Sequence, residues 1–365
     1  MAVTLADVAA RAGVSSATVS RVLNGNYPVA GSTRERVRRA VAELDYVVNG
    51  QARALAAASS DLVGVLVNDV ADPFFGLIAS ALQREIAAGP GRLPGDGKLA
   101  VVCNTGGSPE AELTYLTLLE RQRAAGVVLT GGAVEDRQHT AAVTARLARL
   151  AASGTRIVLC GRPPLPDAGA EITTIAFDNR GGARRLTEHL LSLGHRRIGC
   201  VAGPLERSTT RHRLEGHRAA LAAYGLAPEV AAGEEFRDLP GRPVVHGGYD
   251  RSSGYDGALE LLRKDPAVTA IVAANDTAAL GVCAALRDRG LSVPGDVSVA
   301  GFDDLPFSVD AAPALTTVRI PLQEAGARAG RLVLGRSAPP PGAMATVATE
   351  LMVRGSTAPP SGSAR

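Results

Sequence analysis

The sequence has no tryptophan, and its aromatic residues make up only 3% of 365 positions. Its four cysteines are far apart and form no CxxC pair, which excludes the common zinc and dithiol redox motifs. We expect them to be buried, reduced thiols in a cytoplasmic protein. No apolar run reaches the length of a membrane span, and no secretory leader is recognisable, so we predict no membrane partner.

The motifs of common enzyme classes are also missing. The chain has no GxSxG, no HExxH and no GxGxxG sequence. The glycine-rich stretch 91–98 misses the spacing of a phosphate-binding loop, and Leu99 stands where serine or threonine is required. The histidines show no paired-ligand spacing on one helix face. We therefore predict no catalytic residues, no metal site and no cofactor.

The segment 4–25 has the pattern of two short helices joined by a tight turn. Thr4 and Asp7 form a capping-box pattern at the start of the first helix. Gly13 supplies the permissive backbone that a sharp turn requires, and Ser15 is placed to cap the second helix. This is the arrangement of a helix-turn-helix, which fits the DNA major groove.

The second helix is predicted over Ser16–Asn24, with a third helix after it. Ser32 and Glu35 form a capping-box pattern that predicts the start of the third helix. Apolar residues at helical spacing predict a small shared core. These core residues are Leu5, Val8, Ala9, Val19, Val22, Leu23, Val37, Val41 and Leu44.

The charge of the chain is concentrated near the amino terminus. Residues 1–60 hold seven arginines and four acidic residues, which gives this segment the same net charge of +3 as the whole chain. The remainder is balanced, with 32 basic and 32 acidic residues. A basic head on a neutral body favours a nucleic-acid partner, although an ordinary solvated helix face would explain the charge alone equally well.

The run 4–25 resembles the DNA-binding headpiece of the lactose-repressor (LacI/GalR) family of bacterial transcription regulators. By that resemblance, Ser16, Ala17 and Arg21 face base edges, and neighbouring side chains contact phosphates or cap the helix. Of the three, only Arg21 can pair with guanine through two hydrogen bonds. The DNA-binding residues predicted for the headpiece are Thr4, Ser15, Ser16, Ala17, Thr18, Ser20, Arg21 and Asn24.

The segment 46–60 is rich in alanine and too short to form a stable helix alone. In the similar family it is the hinge helix, which pairs with its dimer mate in the minor groove. Leu55 matches the leucine that wedges between base pairs, and Ala52 and Arg53 flank it. The alternative is that Leu55 is an exposed linker residue. The resemblance implies a homodimer, possibly a tetramer, on a near-palindromic double-stranded DNA operator.

The body alternates short apolar runs with helical segments, which is typical of buried parallel strands in βαβ units. We predict an α/β fold: an all-α headpiece over 1–45, joined to a body with two lobes of doubly wound parallel sheets, similar to periplasmic binding proteins. The body spans 61–355 and residues 356–365 form a disordered tail. The predicted lobes are an N-lobe over about 61–162 and 291–320, and a C-lobe over about 163–290 and 321–355.

Ligands of open parallel sheets bind at the carboxyl ends of the strands, which is where the candidate effector-binding residues lie. The resemblance implies that Arg207, Thr209, Arg213 and Asp276 contact the effector. It also matches Tyr249 and Asp250 to a further wall of the cleft. Phe74 and Phe75 are an adjacent aromatic pair in a chain with few aromatics, although core packing would also explain them. Asn275 and Asp276 could equally cap the next helix. The full candidate set is Asp72, Phe74, Phe75, Arg207, Thr209, Arg213, Tyr249, Asp250, Asn275 and Asp276.

The leading interpretation is a regulator, most often a repressor in such families, whose DNA affinity responds to a small molecule bound between the lobes. A sugar or sugar phosphate is favoured, and the run 205–209 also resembles the purine-responsive branch. Two other classes remain: a sugar-binding transport receptor, which would have no use for a headpiece, and an enzyme on the same scaffold, which fold alone does not exclude.

Overall fold

The computed structural model describes residues 3–24, 28–46, 60–88, 98–165, 171–227 and 243–361. The chain divides into two compact units, Met1–Asp61 and Leu62–Arg365. None of the helices in these ranges combines the length and apolar character that a bilayer crossing requires. The same ranges contain no group of three or more acidic, histidine or cysteine side chains arranged to hold a metal ion.

The first unit contains three helices, α1 (Leu5–Ala12), α2 (Ser16–Asn24) and α3 (Gly31–Glu43). Helix α2 has the predicted bounds. The helices share a small core in which Val8, Val19 and Val37 are fully buried. The core is local because its apolar residues recur at helical spacing along each helix.

The capping box at Thr4 is confirmed, because the Thr4 amide donates to Asp7 Oδ2 at 2.8 Å and the Asp7 amide donates to Thr4 Oγ1 at 3.3 Å. The second predicted capping box is wrong. Helix α3 begins at Gly31, so Ser32 and Glu35 both lie inside it, and its cap residue Ala30 makes no side-chain hydrogen bond.

The second unit contains two parallel sheets, each the centre of one lobe. The N-lobe sheet has the strand order β11-β5-β4-β3-β1-β2. Its strands are β1 (Leu62–Val67), β2 (Leu99–Asn104), β3 (Gly126–Thr130), β4 (Arg156–Cys160), β5 (Ile172–Phe177) and β11 (Met344–Val347). Its helices are α4 (Pro73–Ala87), α5 (Pro109–Arg121), α6 (Arg137–Ala152) and α11 (Leu322–Val333).

The C-lobe sheet has the strand order β7-β6-β8-β9. Its strands are β6 (Ile198–Ala202), β7 (Val244–His246), β8 (Ala270–Ala273) and β9 (Ser298–Ala300). A separate antiparallel pair joins β10 (Thr317–Arg319) and β12 (Glu350–Met352). The helices are α7 (Asn179–Ser192), α8 (Ser208–Ala223), α9 (Arg251–Lys264) and α10 (Asp276–Asp288). The predicted α/β class with parallel sheets is confirmed.

The predicted division of the chain between the lobes is wrong in three places. Strand β5 pairs with β4, which assigns 172–177 to the N-lobe. Strand β9 pairs with β8, which assigns 298–300 to the C-lobe. Helix α11 packs against α4, and β11 pairs with β5, so 322–347 returns to the N-lobe. Strand pairing is a long-range property, and short apolar runs do not encode their partners.

The predicted disordered tail is wrong for the part that the structure describes. Ser356 is fully buried, and its hydroxyl donates to Val299 O at 2.6 Å. The Ala358 amide donates to Ser298 Oγ at 3.1 Å, and Ala358 O contacts His195 Nε2 at 2.9 Å. These hydrogen bonds anchor a Ser- and Pro-rich segment along β9, which composition alone does not predict. Residues 362–365 lie outside the described ranges.

Candidate DNA-binding surface and ligand cavity

One side of α2 presents the predicted recognition residues. Ser16, Ala17 and Arg21 are exposed, whereas Val19 on the opposite side is fully buried. Because the apolar side is fixed against the helical core, the outward side is presented on a rigid element. An exposed arginine beside two small residues can enter a groove without steric obstruction.

The turn before α2 is built as the sequence predicts. Gly13 has φ 65°, the left-handed conformation that glycine adopts without strain. Ser15 Oγ accepts the Thr18 amide at 3.2 Å and lies 2.9 Å from Thr18 Oγ1. Ser15 is exposed, and Thr18 and Ser20 are half-buried. The side chain of Asn24 and the hinge candidates Ala52, Arg53 and Leu55 lie outside the described residues.

A cavity of about 370 Å³ lies between the two lobes of the second unit. Nine of the ten candidate effector residues line it, and Asp276 does not. The lining also includes residues that sequence reasoning missed. They are Asn68, Asp69, Ala71, Pro73, Gly106, Gly107, Gly131, Gly132, Gly161, Phe177, Asn179, Pro204, Thr277 and Asp303.

Arg213 is the centre of the polar wall. Its Nε donates to Asn179 Oδ1 at 2.9 Å, and its Nη2 donates to Asp303 Oδ1 at 2.7 Å. Its guanidinium carbon lies 3.7 Å from the centre of the Phe302 ring, a cation–π arrangement. Contacts with α7, with the loop after β9 and, through Nη1, with Ala274 O after β8 thus fix this side chain, so its charge is held in one orientation.

The opposite wall is aromatic. The rings of Phe74 and Phe75 are perpendicular, with centres 5.0 Å apart, and Phe74 makes a second edge-on contact with Phe177 at 6.3 Å. Pairs of this geometry are favourable beyond the area that they bury. Gly131 at the end of β3 leaves room for this wall, because a Cβ there would lie 2.7 Å from Phe75 Cε1.

Asp72 joins the two walls. Its carboxylate caps α4 by accepting the Phe74 amide at 2.9 Å. Burial, and to a smaller extent the nearby charges of Asp303 and Asp69, raises the pKa of Asp72 to about 6. The carboxylate therefore changes its charge in a mildly acidic range.

Asp276 was predicted to accept hydrogen bonds from the ligand, and the structure corrects this interpretation. The residue is fully buried, and its carboxylate accepts the Leu305 amide at 2.7 Å, the Ser308 hydroxyl at 2.7 Å and the Thr317 hydroxyl at 2.5 Å. Burial raises its pKa to about 7. Asp276 anchors the loop that carries Asp303, and the neighbouring Asn275 caps α10. Asn275 and Asp276 are adjacent in sequence, but only Asn275 lines the cavity, because the side chain of Asp276 points away from it.

Arg207 lines the cavity and also connects the lobes. Its guanidinium donates to Gly107 O at 2.5 Å and Gly132 O at 3.4 Å, both in the N-lobe. The Ser208 amide donates to Ala133 O at 3.0 Å, and Arg211 pairs with Glu135 through both carboxylate oxygens at 2.7 to 2.8 Å. We call residues 132–135 and 206–211 the inter-lobe clasp.

The missed residues share one signal. Phe177 ends β5, Asn179 follows it by two positions, and Asp303 follows β9 by three. All three therefore lie at the carboxyl ends of parallel strands, where such folds place their ligands. Asp303 has φ 103°, which is rare outside glycine and holds its carboxylate against Arg213.

A helix-turn-helix unit on the same chain as a two-lobed ligand-binding body defines a DNA-binding transcription regulator of the effector-responsive class. Residues 4–49 match the family model of bacterial regulatory proteins of the lacI family, and residues 187–357 match a periplasmic binding protein-like domain. The chain belongs to the lacI family.

Three similar proteins show the extent of this relationship. The transcriptional regulator GalR of Escherichia coli K12 is 35% identical over 331 residues, 91% of this chain and 88% of GalR. A lac repressor dimer bound to operator and an anti-inducer superposes with a TM-score of 0.75 at 28% identity, covering 98% of this chain and all of that one. A complex of the regulator CelR with cellobiose superposes with a TM-score of 0.65 at 32% identity, and the match covers 97% of this chain and 99% of the CelR chain.

Proposed function

We propose that the protein binds a near-palindromic operator as a homodimer, in the cytoplasm where its DNA lies. Ser16, Ala17 and Arg21 read base edges in the major groove, and Thr4, Ser15, Thr18, Ser20 and Asn24 contact the sugar-phosphate backbone or cap. Ala52, Arg53 and Leu55 enter the minor groove as a hinge helix. The exposed outer side of α2 supports this proposal, as does the operator-bound dimer of the similar lac repressor.

We further propose that a carbohydrate, free or phosphorylated, binds the cavity and changes operator affinity. The observation that carries this proposal is the pair of opposed walls, with Phe74 and Phe75 on one side and the Arg213–Asp303 pair on the other. A sugar ring has an apolar face and a rim of hydroxyl groups, which suit these two walls. The cellobiose complex of the similar regulator CelR supports this ligand class.

The ligand acts only through a difference in its affinity for two states of the protein. Because the clasp connects the two lobes beside the cavity, a ligand that contacts both walls favours one lobe arrangement. The protein then acts by binding and not by catalysis, as do the regulators that it resembles.

The DNA-binding proposal is tested by comparing Arg21→Ala with Arg39→Ala on operator and random DNA by fluorescence anisotropy. Operator fragments are first selected from genomic DNA with the full chain. Arg21→Ala is expected to weaken the binding free energy by about 1–3 kcal/mol on operator DNA and by much less on random DNA. Arg39 is exposed on α3, and its loss should weaken both complexes equally. An equal loss on both DNAs for Arg21→Ala refutes base reading by this residue.

A further inference from the structure

The cavity lining carries an excess of negative charge. Four carboxylates face two guanidinium groups, which leaves two net negative charges when all are ionised. These side chains are Asp69, Asp72, Asp250, Asp303, Arg207 and Arg213. The raised pKa of Asp72 has burial as its main cause and the like charges of Asp303 and Asp69 as further causes. A second anion in this space would meet the same repulsion.

The arginines are already engaged by the protein. Arg213 pairs with Asp303, and Arg207 donates to two backbone carbonyls. A third arginine, Arg162, lies close enough to Arg207 to influence its charge, but it is buried against Glu112 with both carboxylate oxygens in contact. Arg162 holds the pKa of Glu112 at about 2 although burial opposes this, so the pair stays ionised and neutral overall.

Helix amino termini, which commonly bind phosphate in folds of this kind, are filled as well. Asp72 caps α4, and Asp250 caps α9 by accepting the Ser253 amide at 2.8 Å. Asn275 caps α10 by accepting the Ala278 amide at 2.8 Å. The first amide of α8, at Ser208, donates to Ala133 O. Two of these termini already hold a carboxylate of the protein itself, and an anionic ligand would have to displace it.

We propose that the cavity selects uncharged polyhydroxyl ligands and rejects phosphorylated ones. This inference rests on the proposed function, and it narrows the ligand class of the same cavity. The aspartates accept hydrogen bonds from neutral hydroxyl groups without opposing a charge. A phosphate ester adds one to two negative charges to a space that is already negative.

The experiment compares neutral sugars with phosphate esters, using the full chain at constant ionic strength. Glucose, galactose, maltose and cellobiose are titrated beside glucose 6-phosphate, galactose 1-phosphate and inorganic phosphate, by calorimetry and thermal shift. For any sugar that binds, we expect its phosphate ester to bind about tenfold more weakly or worse, from the unfavourable charge contact. No cavity binding of inorganic phosphate is expected.

The cause is tested with Asp72→Asn combined with Asp250→Asn. Asparagine caps helices as well as aspartate, so the fold should persist. This double variant removes two negative charges and is expected to gain affinity for glucose 6-phosphate. The matched control is Asp256→Asn, an exposed residue of α9 that does not line the cavity, which should gain nothing.

Each outcome decides the inference separately from the proposed function. Binding of a phosphate ester to the wild type at least as tightly as its parent sugar overturns it. An unchanged affinity of the double variant for phosphate overturns it too, because the carboxylates then do not cause the rejection. If no neutral sugar binds, the carbohydrate proposal fails, while the phosphate measurements still decide whether the cavity rejects anions.

Discussion

The two lobes contribute different chemistry to one cavity. The N-lobe wall combines the rings of Phe74 and Phe75, bare backbone at glycines that follow β2, β3 and β4, and the carboxylates of Asp69 and Asp72. The C-lobe wall consists of charged and amide side chains held by hydrogen bonds, with Arg213 at their centre. The rings and glycines of the N-lobe therefore set the shape of the cavity, and the hydrogen-bonding side chains of the C-lobe orient the ligand. A ligand that contacts both walls couples the two lobes.

The largest effect is expected from breaking the polar wall. Arg213→Ala leaves Asp303 buried and without its partner, because only 4% of the Asp303 side chain is exposed. We expect a loss of about 3–5 kcal/mol in the free energy of unfolding, measured by urea denaturation.

Two variants serve as controls for this loss. Adding Asp303→Asn to Arg213→Ala should restore part of the stability, because no unpaired charge then remains buried. Arg263→Ala removes an arginine that is 72% exposed and should cost no more than about 1 kcal/mol. Equal losses for Arg213→Ala and Arg263→Ala would contradict the assigned role.

A smaller effect is expected from the apolar wall. Gly131→Ala places a methyl group 2.7 Å from Phe75 Cε1 and does so at φ 76°. Gly154→Ala is a matched control, because Gly154 has φ 89° but nothing within 4 Å. In both variants the left-handed backbone should lower the free energy of unfolding by about 1–2 kcal/mol. In Gly131→Ala the clash with Phe75 should lower the free energy of unfolding by about 1–3 kcal/mol more. Equal losses for the two variants in thermal unfolding would show that Gly131 is not needed to make room for the ring.

The third effect is a dependence on pH. The pKa of Asp72 is raised from 3.8 to about 6 in the folded protein. The folded state therefore binds a proton between about pH 4 and 6 that the unfolded state does not, and the wild type loses stability as pH rises through this window. The stability of Asp72→Asn relative to wild type should increase from pH 4 to 7, as measured by urea titrations. A constant difference would show that this carboxylate titrates normally.

The smallest effect is expected at the clasp between the walls. Glu135 and Arg211 are 29% and 35% exposed, so water screens their pair. Glu135→Gln should lower the free energy of unfolding by no more than about 1 kcal/mol, and this loss should be smaller in high salt. Urea titrations in low and high salt test this, and a loss of several kcal/mol would mean that the pair is a major link between the lobes.

The headpiece was predictable because its signals are local. The capping box at Thr4, the turn at Gly13 and the bounds of α2 each depend on residues a few positions apart. The start of α3 was predicted wrongly because Ser32 and Glu35 match a cap pattern that the helix passes over.

For the cavity, the sequence predicted which residues line it better than it predicted what each residue does. Strand ends and the family resemblance identified nine lining residues, but the direction of each side chain depends on contacts far away in sequence. Asp276 turns to donors at Leu305, Ser308 and Thr317, and Asp303 takes the place facing the cavity. The lobe assignment failed for the same reason, since β11 joins a sheet whose other strands lie more than 160 residues earlier.

Ligand binding in the cavity and DNA binding by α2 are expected to be coupled. Ligand affinity is measured by calorimetry for the full chain, alone and saturated with its selected operator, using a neutral sugar that binds. Coupling requires that operator changes ligand affinity by the same factor by which ligand changes operator affinity, about 5- to 150-fold. A sugar that binds the cavity with the same affinity in both titrations would show that the cavity and the DNA-binding helix act independently.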